Sequence, residues 1–467
     1  MVGDTTTGVS TGPLQAAAAS RAARTHAILH DPIAPTLARL AAPNVIAMGV
    51  QALISIAEGY FASRLGVDAL AGLALVFPLV MLTQMLSAGA IGGATSSAVA
   101  RALGAGNTAR ASGVVIAAWI VGLGASVASI ALIAAFGRST FELLGGPGAA
   151  TDAAIAYAMV FFPGCVAIWI CHLTLSVVRG TGGMGFASGV LLLVSLLTVP
   201  LAGALSLGWG GLPAWGMSGL ALGAVLAHAV GASIAIVYVL AGRAGFSLNR
   251  VRPDRTTFDD ILRVGGIASA NSALTVLTIV LMVGAVGRYG PDALAGYGLG
   301  ARLEFLMIPV VFGIGAAMTA MVGTNMGAGQ TARALSIAWI GSLAAAAIVG
   351  SIGLVAALFP DLWLRMFLAP EATGALEAGR SYFRIVGPFY GFFALGLAIY
   401  FASQGAGRMM WPFLGGVLRI GVAFGGAIVL ADETDLGMQS VYIAIAAGMF
   451  AYGTCIAGAL LRSKWRS

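Results

Sequence analysis

The sequence is poor in charged residues and in the residue types that build metal or redox sites. Only 9% of its 467 residues are charged and 59% are hydrophobic, whereas soluble domains carry about 25% charged residues. There are three cysteines, Cys165, Cys171 and Cys455. They are odd in number and lack the spacing of metal ligands. The composition argues against a water-soluble domain, a disulfide scaffold and a metal centre, and we interpret the cysteines as buried packing residues.

Motifs of catalysis and of phosphate binding are also missing from the sequence. No phosphate loop of the Walker type follows a strand, and we interpret the run Gly180-Thr181-Gly182-Gly183 as a turn. An integral-membrane enzyme would need a cluster of catalytic groups at one membrane face, and a channel would need repeated filter residues. Neither pattern occurs, so we expect no enzymatic activity, no cofactor and no structural metal.

Long apolar segments are present along the whole chain, and mean hydropathy is +0.96. A helix of about 20 apolar residues crosses a hydrocarbon core of about 30 Å. Strands are disfavoured, because membrane barrels alternate polar and apolar residues over short segments. We predict an all-α integral membrane protein with twelve transmembrane helices, near residues 37–63, 70–99, 113–136, 154–178, 187–208, 216–241, 260–287, 294–323, 335–359, 380–403, 410–430 and 439–461.

The chain repeats itself at an interval of about 223 residues. The segment from Gly104 to Ala111 returns as the segment from Gly327 to Ala334, with seven of eight residues identical. Each half holds six predicted helices, so both halves enter the membrane in the same orientation. Parallel repeats of this kind form two bundles related by a pseudo-two-fold axis along the membrane normal, usually with a substrate path between them. The predicted domains are a tail at 1–35, a six-helix bundle at 36–242, a linker at 243–259, a second six-helix bundle at 260–461 and a tail at 462–467.

The net charge of +7 follows membrane topology and does not indicate nucleic-acid binding. If the N-terminus is cytoplasmic, 16 basic residues lie on the cytoplasmic side and five on the outer side, namely Arg64, Arg138, Arg288, Arg365 and Arg380. This bias follows the positive-inside rule and predicts that both termini are cytoplasmic. Residues 1–35 lack the apolar stretch of a signal peptide, and we interpret them as a mostly disordered tail with room for a short surface helix. The 23 arginines against one lysine suggest a GC-rich bacterial genome, and hence the bacterial inner membrane.

Two acidic residues, Glu58 and Glu304, fall well within predicted helices. A carboxylate inside a bilayer costs several kcal/mol unless it is paired, hydrated or protonated, so intramembrane acids are functional candidates by default. We therefore predict that both acids bind a coupling cation. Asn44, Gln51 and Glu58 are spaced by seven residues and Ser55 lies three before Glu58, which places one polar stripe on the first helix. Such a stripe faces a water-filled cavity or, alternatively, forms a structural hydrogen-bond network.

The second half supplies the remaining candidates. Glu304 lies near mid-membrane in the eighth predicted helix. It is either a functional carboxylate or part of a buried structural ion pair. Arg302 is two residues away and points to a different side of that helix. The tenth predicted helix is rich in aromatic residues, which bind cations and planar rings but more often serve packing. His172 and His228 are interpreted as hydrogen-bonded structural residues more readily than as proton relays. The predicted cavity-lining residues of the second half are Tyr297, Tyr390, Tyr400 and Gln404.

Together these segments resemble a known transporter family. The runs at 58–66, 68–71 and 104–106 resemble the first two helices of multidrug and toxic compound extrusion (MATE) transporters. The runs at 293–298 and 322–329 resemble the seventh-to-eighth helix region of the same family. The resemblance covers residues 36–461. It implies two six-helix bundles around a V-shaped cavity, and export of amphipathic, often cationic compounds by proton or sodium antiport.

The resemblance also assigns roles to particular residues. The family commonly has an acid on the first helix, and Glu58 stands at that place. Sodium-coupled members tend to carry acids on helices 7 and 10 as well. This chain has none within the apolar core of helix 7 and none beyond Glu377 on helix 10. The difference favours protons as the coupling ion. Glu304 is an alternative second-half site, at which sodium is also a possible ion.

The sequence therefore predicts a secondary active exporter working by alternating access, with a small amphipathic substrate and membrane lipids as partners and the monomer as the active unit. One alternative is a lipid-linked or polysaccharide flippase, which needs a basic cavity. We count only Arg302, Arg384 and Arg419 as intramembrane arginines, which is too few for that role. A second alternative is an exporter of one specific metabolite.

Overall fold

The computed structural model of the chain describes residues 13–248, 253–462 and 465 and, within these ranges, consists of helices and connecting turns without strands. A helix α1 (Pro13–His30) precedes twelve helices that are long and apolar enough to cross a membrane, and a short helix α11 (Asp361–Leu364) lies between two of them. The twelve are α2 (Ile33–Leu65), α3 (Val67–Gly104), α4 (Thr108–Gly145), α5 (Ala149–Gly180), α6 (Met184–Leu207), α7 (Gly216–Leu240), α8 (Arg255–Gly287), α9 (Pro291–Gly327), α10 (Thr331–Leu358), α12 (Thr373–Gly405), α13 (Met410–Glu433) and α14 (Met438–Arg462). The predicted all-α fold with twelve spans is confirmed.

Most spans extend beyond the apolar runs that predicted them. The helix α4 is 38 residues long, whereas its apolar run covers 113–136. At its start the Asn107 side chain accepts a hydrogen bond of 2.8 Å from the backbone N–H of Arg110, as an N-cap does. In the same way Asp254 caps α8 by accepting from the N–H of Thr257 at 2.9 Å. The helix α8 therefore begins inside the predicted linker, whose residues 249–252 lie outside the described ranges.

An even number of spans places both ends of the chain on one side of the membrane, which we call the termini side, opposite the far side. Two large hydrophobic cores divide the molecule. One is built mainly from α2 to α7 and the other mainly from α9 to α14. A small third core, with Ala90, Ala94, Val264, Ala268, Tyr400, Phe401 and Met409, joins the two halves. The chain thus forms two packed bundles, which meet where α9 packs against α2 and α3 and where α8 packs against α3.

The two halves close on each other at the termini side, where the repeated motifs meet. A Cβ added at Gly104 would lie 2.0 Å from the carbonyl oxygen of Thr324. A Cβ added at Gly327 would lie 2.0 Å from the carbonyl oxygen of Arg101. These pairs are equivalent under the repeat, because Thr324 and Gly327 stand 223 residues after Arg101 and Gly104. The contact is therefore reciprocal, as expected where a pseudo-two-fold axis passes between the ends of α3 and α9.

Burial differs along the spans in a way that agrees with this closure. The termini-side segments of α3, α5, α9 and α12 are almost completely buried. The far-side parts of α3 and α8 are largely half-buried or exposed. The central region of the molecule is consequently sealed from the termini side and is more accessible from the far side.

The helix α1 connects the two halves across the termini side. Arg24 donates through Nε to the carbonyl of Thr181 at 3.4 Å, in the turn between α5 and α6. At the C-terminal end of α1, Arg333 donates to the carbonyls of Ile28 and Asp31, and Asn325 also donates to Ile28 at 3.4 Å. The prediction of a mostly disordered tail with a short surface helix underestimates the helix, which covers residues 13–30, because Arg333 and Asn325 satisfy carbonyls at its end.

Deleting residues 1–30 is therefore expected to lower the thermal unfolding temperature of the purified protein by a few degrees, because these bonds from both halves are lost together. Deleting residues 1–12 alone retains α1 and serves as the control. Thermal unfolding of both variants in the same detergent measures the difference. An unchanged unfolding temperature after the longer deletion would show that α1 does not stabilise the closed end.

On the far side, an ion-pair cluster holds α11 against α12. The carboxylate of Asp361 accepts from Arg380 Nε at 2.7 Å and Nη2 at 2.8 Å, and from Arg365 Nε at 3.0 Å. These hydrogen bonds, chiefly those from Arg380, lower the pKa of Asp361 to about 2. Asp361 stays charged at any pH used in a transport assay, so it does not contribute to the pH dependence of transport.

Candidate functional site

The clearest buried constellation surrounds Glu304 in the second half. Helix α9 carries Glu304, and helix α12 carries Tyr382, whose hydroxyl donates a hydrogen bond to Glu304 Oε1. The ring of Tyr382 contacts that of Tyr297, with centroids 5.7 Å apart, and that of Tyr442 on α14, at 5.2 Å. Tyr390 lies about two turns further along α12 and donates to the carbonyl of Gly300 at 3.5 Å. The carboxyl group is therefore held by a phenol in a shell of buried aromatic rings.

A buried arginine shares this region. The guanidinium of Arg419, on α13, lies over the rings of Phe393 and Tyr452 at 5.2 and 5.5 Å from their centroids. It is an electrostatic neighbour of Glu304, yet the two form no ion pair in the described part of the chain, and Arg419 Nε has no hydrogen-bond partner there. Glu304 thus has a positive group within electrostatic range that is held by cation–π contacts instead of by direct pairing.

The structure places the predicted second-half residues in two separate places. Tyr297 and Tyr390 belong to the Glu304 constellation. Tyr400 instead packs in the small core between the halves, against Phe401 at 5.2 Å between ring centroids. Arg302 and Arg384 are exposed and make no described contact with Glu304. The partners of Glu304, Tyr382 and Arg419, are visible in the sequence only as one tyrosine among many aromatics and one arginine in an apolar run.

Glu58 occupies a different environment from Glu304. Its side chain is half-buried on α2, and Tyr157 of α5 is its electrostatic neighbour. Within the described residues its carboxyl group has no hydrogen bond or ion pair. Further along the same face, Gln51 Nε2 donates to Gln84 Oε1 of α3 at 3.1 Å; the side chain of Ser55 lies outside the description.

At the termini end of this stripe, Asn44 forms part of a structural network. Its Oδ1 accepts from Ser188 at 2.7 Å, and its Nδ2 lies 3.1 Å from the sulfur of Met184. Gln404 of α12 donates through Nε2 to the carbonyls of Gly89 and Ala90 in α3, at 3.0 and 3.1 Å. Asn44 and Gln404 both line one small cavity between the halves. The polar stripe on α2 therefore contains one acid, Glu58, without a hydrogen bond among the described residues, and one hydrogen-bonded amide, Asn44.

The two membrane histidines prove to be neighbours. The rings of His172 on α5 and His228 on α7 meet edge to face, with centroids 5.5 Å apart. His172 Nδ1 lies 2.8 Å from Ser87 Oγ, and His228 Nδ1 lies 2.8 Å from the carbonyl of Ala224. This pair lies inside the first bundle and is hydrogen-bonded, which agrees with a structural role. Within the described ranges no group of three or more His, Cys, Asp or Glu residues is arranged to hold a metal.

A comparison with protein-family models matches the chain to the family MatE. The match covers residues 43–203 and again residues 267–427. The two matched stretches are the two halves of the repeat, and together they cover more than half of the chain.

Individual relatives agree with this match. The probable multidrug resistance protein NorM of Thermotoga maritima is 26% identical over 435 residues, which is 92% of each chain. The FAD transporter of Shewanella oneidensis is 24% identical over 314 residues, covering 66% of this chain and 69% of that protein. A solved structure of a multidrug resistance MATE family transporter of the MOP superfamily, in an outward-facing conformation, superposes with a TM-score of 0.83 at 25% identity and covers 94% of this chain and 99% of the other.

Proposed function

Since this chain belongs to the MatE family of transporters, we propose that it is a secondary active exporter of amphipathic, chiefly cationic compounds. Export is driven by antiport of a cation through alternating access, and the cation is a proton in preference to sodium. Glu58 in the first half and Glu304 in the second half are the coupling residues. The observation that carries the proposal is the presence of one membrane-embedded carboxyl group in each bundle, in a molecule sealed at one side.

The coupling mechanism follows from what can reach each acid. With the termini side closed, protons and substrates exchange with the far side. Glu58 has no partner among the described residues, so its carboxyl is available to compete with a cationic substrate. Protonation removes the negative charge and with it the electrostatic attraction for that substrate. Substrate release on one side and deprotonation on the other then give export against a gradient, provided that the two halves alternate between closed ends.

The environment of Glu304 favours protons over sodium. A sodium ion needs several oxygen ligands and adds a positive charge next to the acid, where Arg419 already supplies one. A proton adds no separate ion to be coordinated. When Glu304 is deprotonated, Arg419 is positioned to compensate the carboxylate, and when it is protonated, the cation–π contacts of Arg419 hold that side chain in place. The two protonation states therefore differ in a local interaction that involves α9, α12 and α13.

The substrate class rests on the relatives. Several are named as probable multidrug resistance proteins, which supports a polyspecific exporter. The relative named as an FAD transporter supports the alternative of one specific metabolite. The flippase alternative is less well supported, because Arg302 and Arg384 do not join Arg419 in one basic cavity.

We further propose that the termini side is cytoplasmic, that the protein resides in the bacterial inner membrane as a monomer, and that the observed conformation is open to the outside.

The decisive experiment is uptake of a fluorescent lipophilic cation by inside-out vesicles, with pH and sodium gradients imposed separately. We expect uptake in wild type with the pH gradient alone. Glu58→Gln and Glu304→Gln should each reduce that uptake at least tenfold, because glutamine keeps the size of the side chain but cannot exchange a proton. Glu377→Gln, which changes an exposed acid near the start of α12, is the matched control and should retain uptake.

Two results would contradict parts of the proposal. Full pH-driven uptake by Glu58→Gln would exclude Glu58 as the coupling acid. Sodium-driven uptake that survives in Glu58→Gln and is lost in Glu304→Gln would move coupling to the second half and change the ion. If neither gradient drives uptake of the dye while FAD is transported, the specific-metabolite alternative replaces multidrug export.

A further inference from the structure

A small cavity lies between the two halves on the termini side of the molecule, close to the closed end. The first half contributes Asn44, Ser96, Ser176 and Arg179 to its lining, and the second half contributes Thr319 and Gln404. Its volume is about 30 Å³, and a cavity that holds a single water molecule needs about 10 to 15 Å³. The cavity is therefore large enough for about two water-sized species and far too small for a drug.

The cavity contains a buried arginine without a partner. Arg179, in the last turn of α5, is 5% exposed, and both its Nε and its Nη2 lack a hydrogen-bond acceptor among the described residues. It also forms no ion pair in that part of the chain. Arg179 lies at the termini side, at the end of α5, but it is not solvated there, because the termini-side ends of α3 and α9 pack against that end.

Two further polar atoms at the cavity lack partners as well. Ser96 Oγ is buried and unpaired among the described residues, and so is Gln404 Oε1. The residues that line the cavity therefore supply two unpaired N–H donors, one hydroxyl that can donate or accept, and one amide oxygen acceptor. Water molecules alone can form these hydrogen bonds but leave the positive charge uncompensated. A buried charge without a counter-charge is strongly unfavourable.

Among the described residues, no acid forms an ion pair with Arg179. Three half-buried arginines differ from it in this respect: Arg101 pairs with Asp260, Arg333 donates to carbonyls of α1, and Arg419 lies over two rings. The electrostatic neighbours of Arg179 on its own helix are Cys171 and His172, and neither carries a negative charge in its ordinary state. The helix terminus of α5 helps to compensate the charge, but its carbonyls accept no hydrogen bond from Arg179.

We propose that this cavity binds one small inorganic anion of the size of chloride, together with one water molecule. The anion accepts from Arg179 Nε and Nη2 and from the hydroxyl of Ser96. The water donates to Gln404 Oε1 and completes the coordination. This assignment accounts for all four unpartnered atoms, for the positive charge and for the volume at once.

The site also depends on conformation. Arg179 and Ser96 belong to the first half, whereas Gln404 belongs to the second. Separating the halves at the termini side exposes Arg179 to water, which can solvate it without an anion. The anion therefore binds more tightly when the termini side is closed and, by linkage, stabilises that conformation.

Thermal unfolding of the purified, substrate-free protein in detergent tests the proposal without any gradient. Potassium chloride is exchanged for potassium gluconate at constant ionic strength and pH, because gluconate is too large for the cavity. We expect a saturable rise of a few degrees with chloride in wild type. Equilibrium dialysis with radioactive chloride should then give one bound ion per chain. Arg179→Met should abolish both effects, and Arg138→Gln, an exposed arginine on the far side, should retain both.

Ser96→Ala gives a second test that does not depend on the folding of Arg179→Met. Losing one hydrogen bond to a charged ligand is expected to weaken chloride binding roughly tenfold. If chloride has no saturable effect on wild type, or has the same effect on Ser96→Ala and Arg179→Met as on wild type, the proposal is wrong and the cavity holds water alone. Because transport is not measured, this outcome would leave the proposed antiport unaffected.

Discussion

Gly104→Ala is expected to prevent closure of the termini side and to reduce transport at least tenfold. The added methyl group would lie 2.0 Å from the backbone oxygen of Thr324, which no side-chain rotation can relieve. Overpacking of this kind costs about 1 to 3 kcal/mol, and each 1.4 kcal/mol shifts a two-state equilibrium about tenfold. The cost falls on the closed conformation alone, so the substitution favours opening at this side. Gly327→Ala should act in the same way through the oxygen of Arg101.

Cysteine labelling measures the shift directly. Ser96→Cys is nearly isosteric and lies 4% exposed in the closed interface, on a background in which Cys165, Cys171 and Cys455 are replaced by alanine. Labelling from the termini side with a membrane-impermeant maleimide should be slow in the parent and about tenfold faster with Gly104→Ala. Gly124→Ala is the matched control, because a Cβ at Gly124 meets no atom within 4 Å. Unchanged labelling and transport with Gly104→Ala would show that this contact is not needed for closure.

Asp260→Asn is the second substitution with a large expected effect, again through the closed end. Asp260 begins the second bundle and pairs with two arginines of the first, Arg101 at 3.4 Å and Arg110 at 2.6 Å. The Arg101 contact is an ion pair without good hydrogen-bond alignment, since Arg101 Nη2 has no hydrogen-bond partner by geometry. Arg101 also donates to the carbonyl of Gly405 at 3.2 Å. Losing the carboxylate leaves two positive groups facing the other bundle without compensation.

The expected magnitude lies between two limits. Breaking a fully buried ion pair costs about 3 to 5 kcal/mol, and exposed pairs contribute at most about 1 kcal/mol. The side chains of Arg101, Asp260 and Arg110 are 18%, 29% and 43% exposed, so we expect about 1 to 2 kcal/mol, given the screening of partly exposed pairs. That corresponds to roughly a tenfold increase in labelling at Ser96→Cys and to a clear loss of transport.

The neighbouring acid provides the control for charge. Asp259 is exposed and makes no described ion pair, so Asp259→Asn changes net charge equally without touching the interface. High salt should reduce the difference between Asp260→Asn and the parent, because part of the interaction is screened. If both asparagine variants label at the same rate, the ion pairs do not hold the halves together.

The sequence predicted the spans well, because a hydrophobic helix of sufficient length needs no tertiary information to be recognised. It also predicts Glu58 and Glu304 as intramembrane acids, since the cost of burying a carboxylate is a local property. The sequence does not predict which residues lie near these acids. In the structure Tyr382 of α12 donates to Glu304 and Arg419 of α13 lies near it, but the spacing of these residues in the sequence does not indicate that they meet. The separation of Tyr400 and Gln404 from Glu304 likewise depends on where α12 crosses α3.

Two features of the termini side are not predicted by the sequence and have a common physical origin. One is the burial of Arg179, and the other is the length of the helix over residues 13–30. In both cases the repeat brings the termini-side ends of α3 and α9 together, and this closure buries Arg179 and creates the surface on which α1 lies. A positive-inside count assumes that every arginine at a helix end meets water. At the closed end of two packed bundles that assumption does not hold for Arg179.

The reciprocal contact of Gly104 with Thr324 and of Gly327 with Arg101 has the form of an isologous interface, in which the same patch meets itself. Two separate copies of one half would make this contact as a homodimer. In such a dimer, every acid or arginine gained on one subunit would be present twice. Joining the halves in one chain removes that constraint. Glu58 without an equivalent acid at Met282, and Glu304 without one at Val80, are asymmetries that only the fused chain permits.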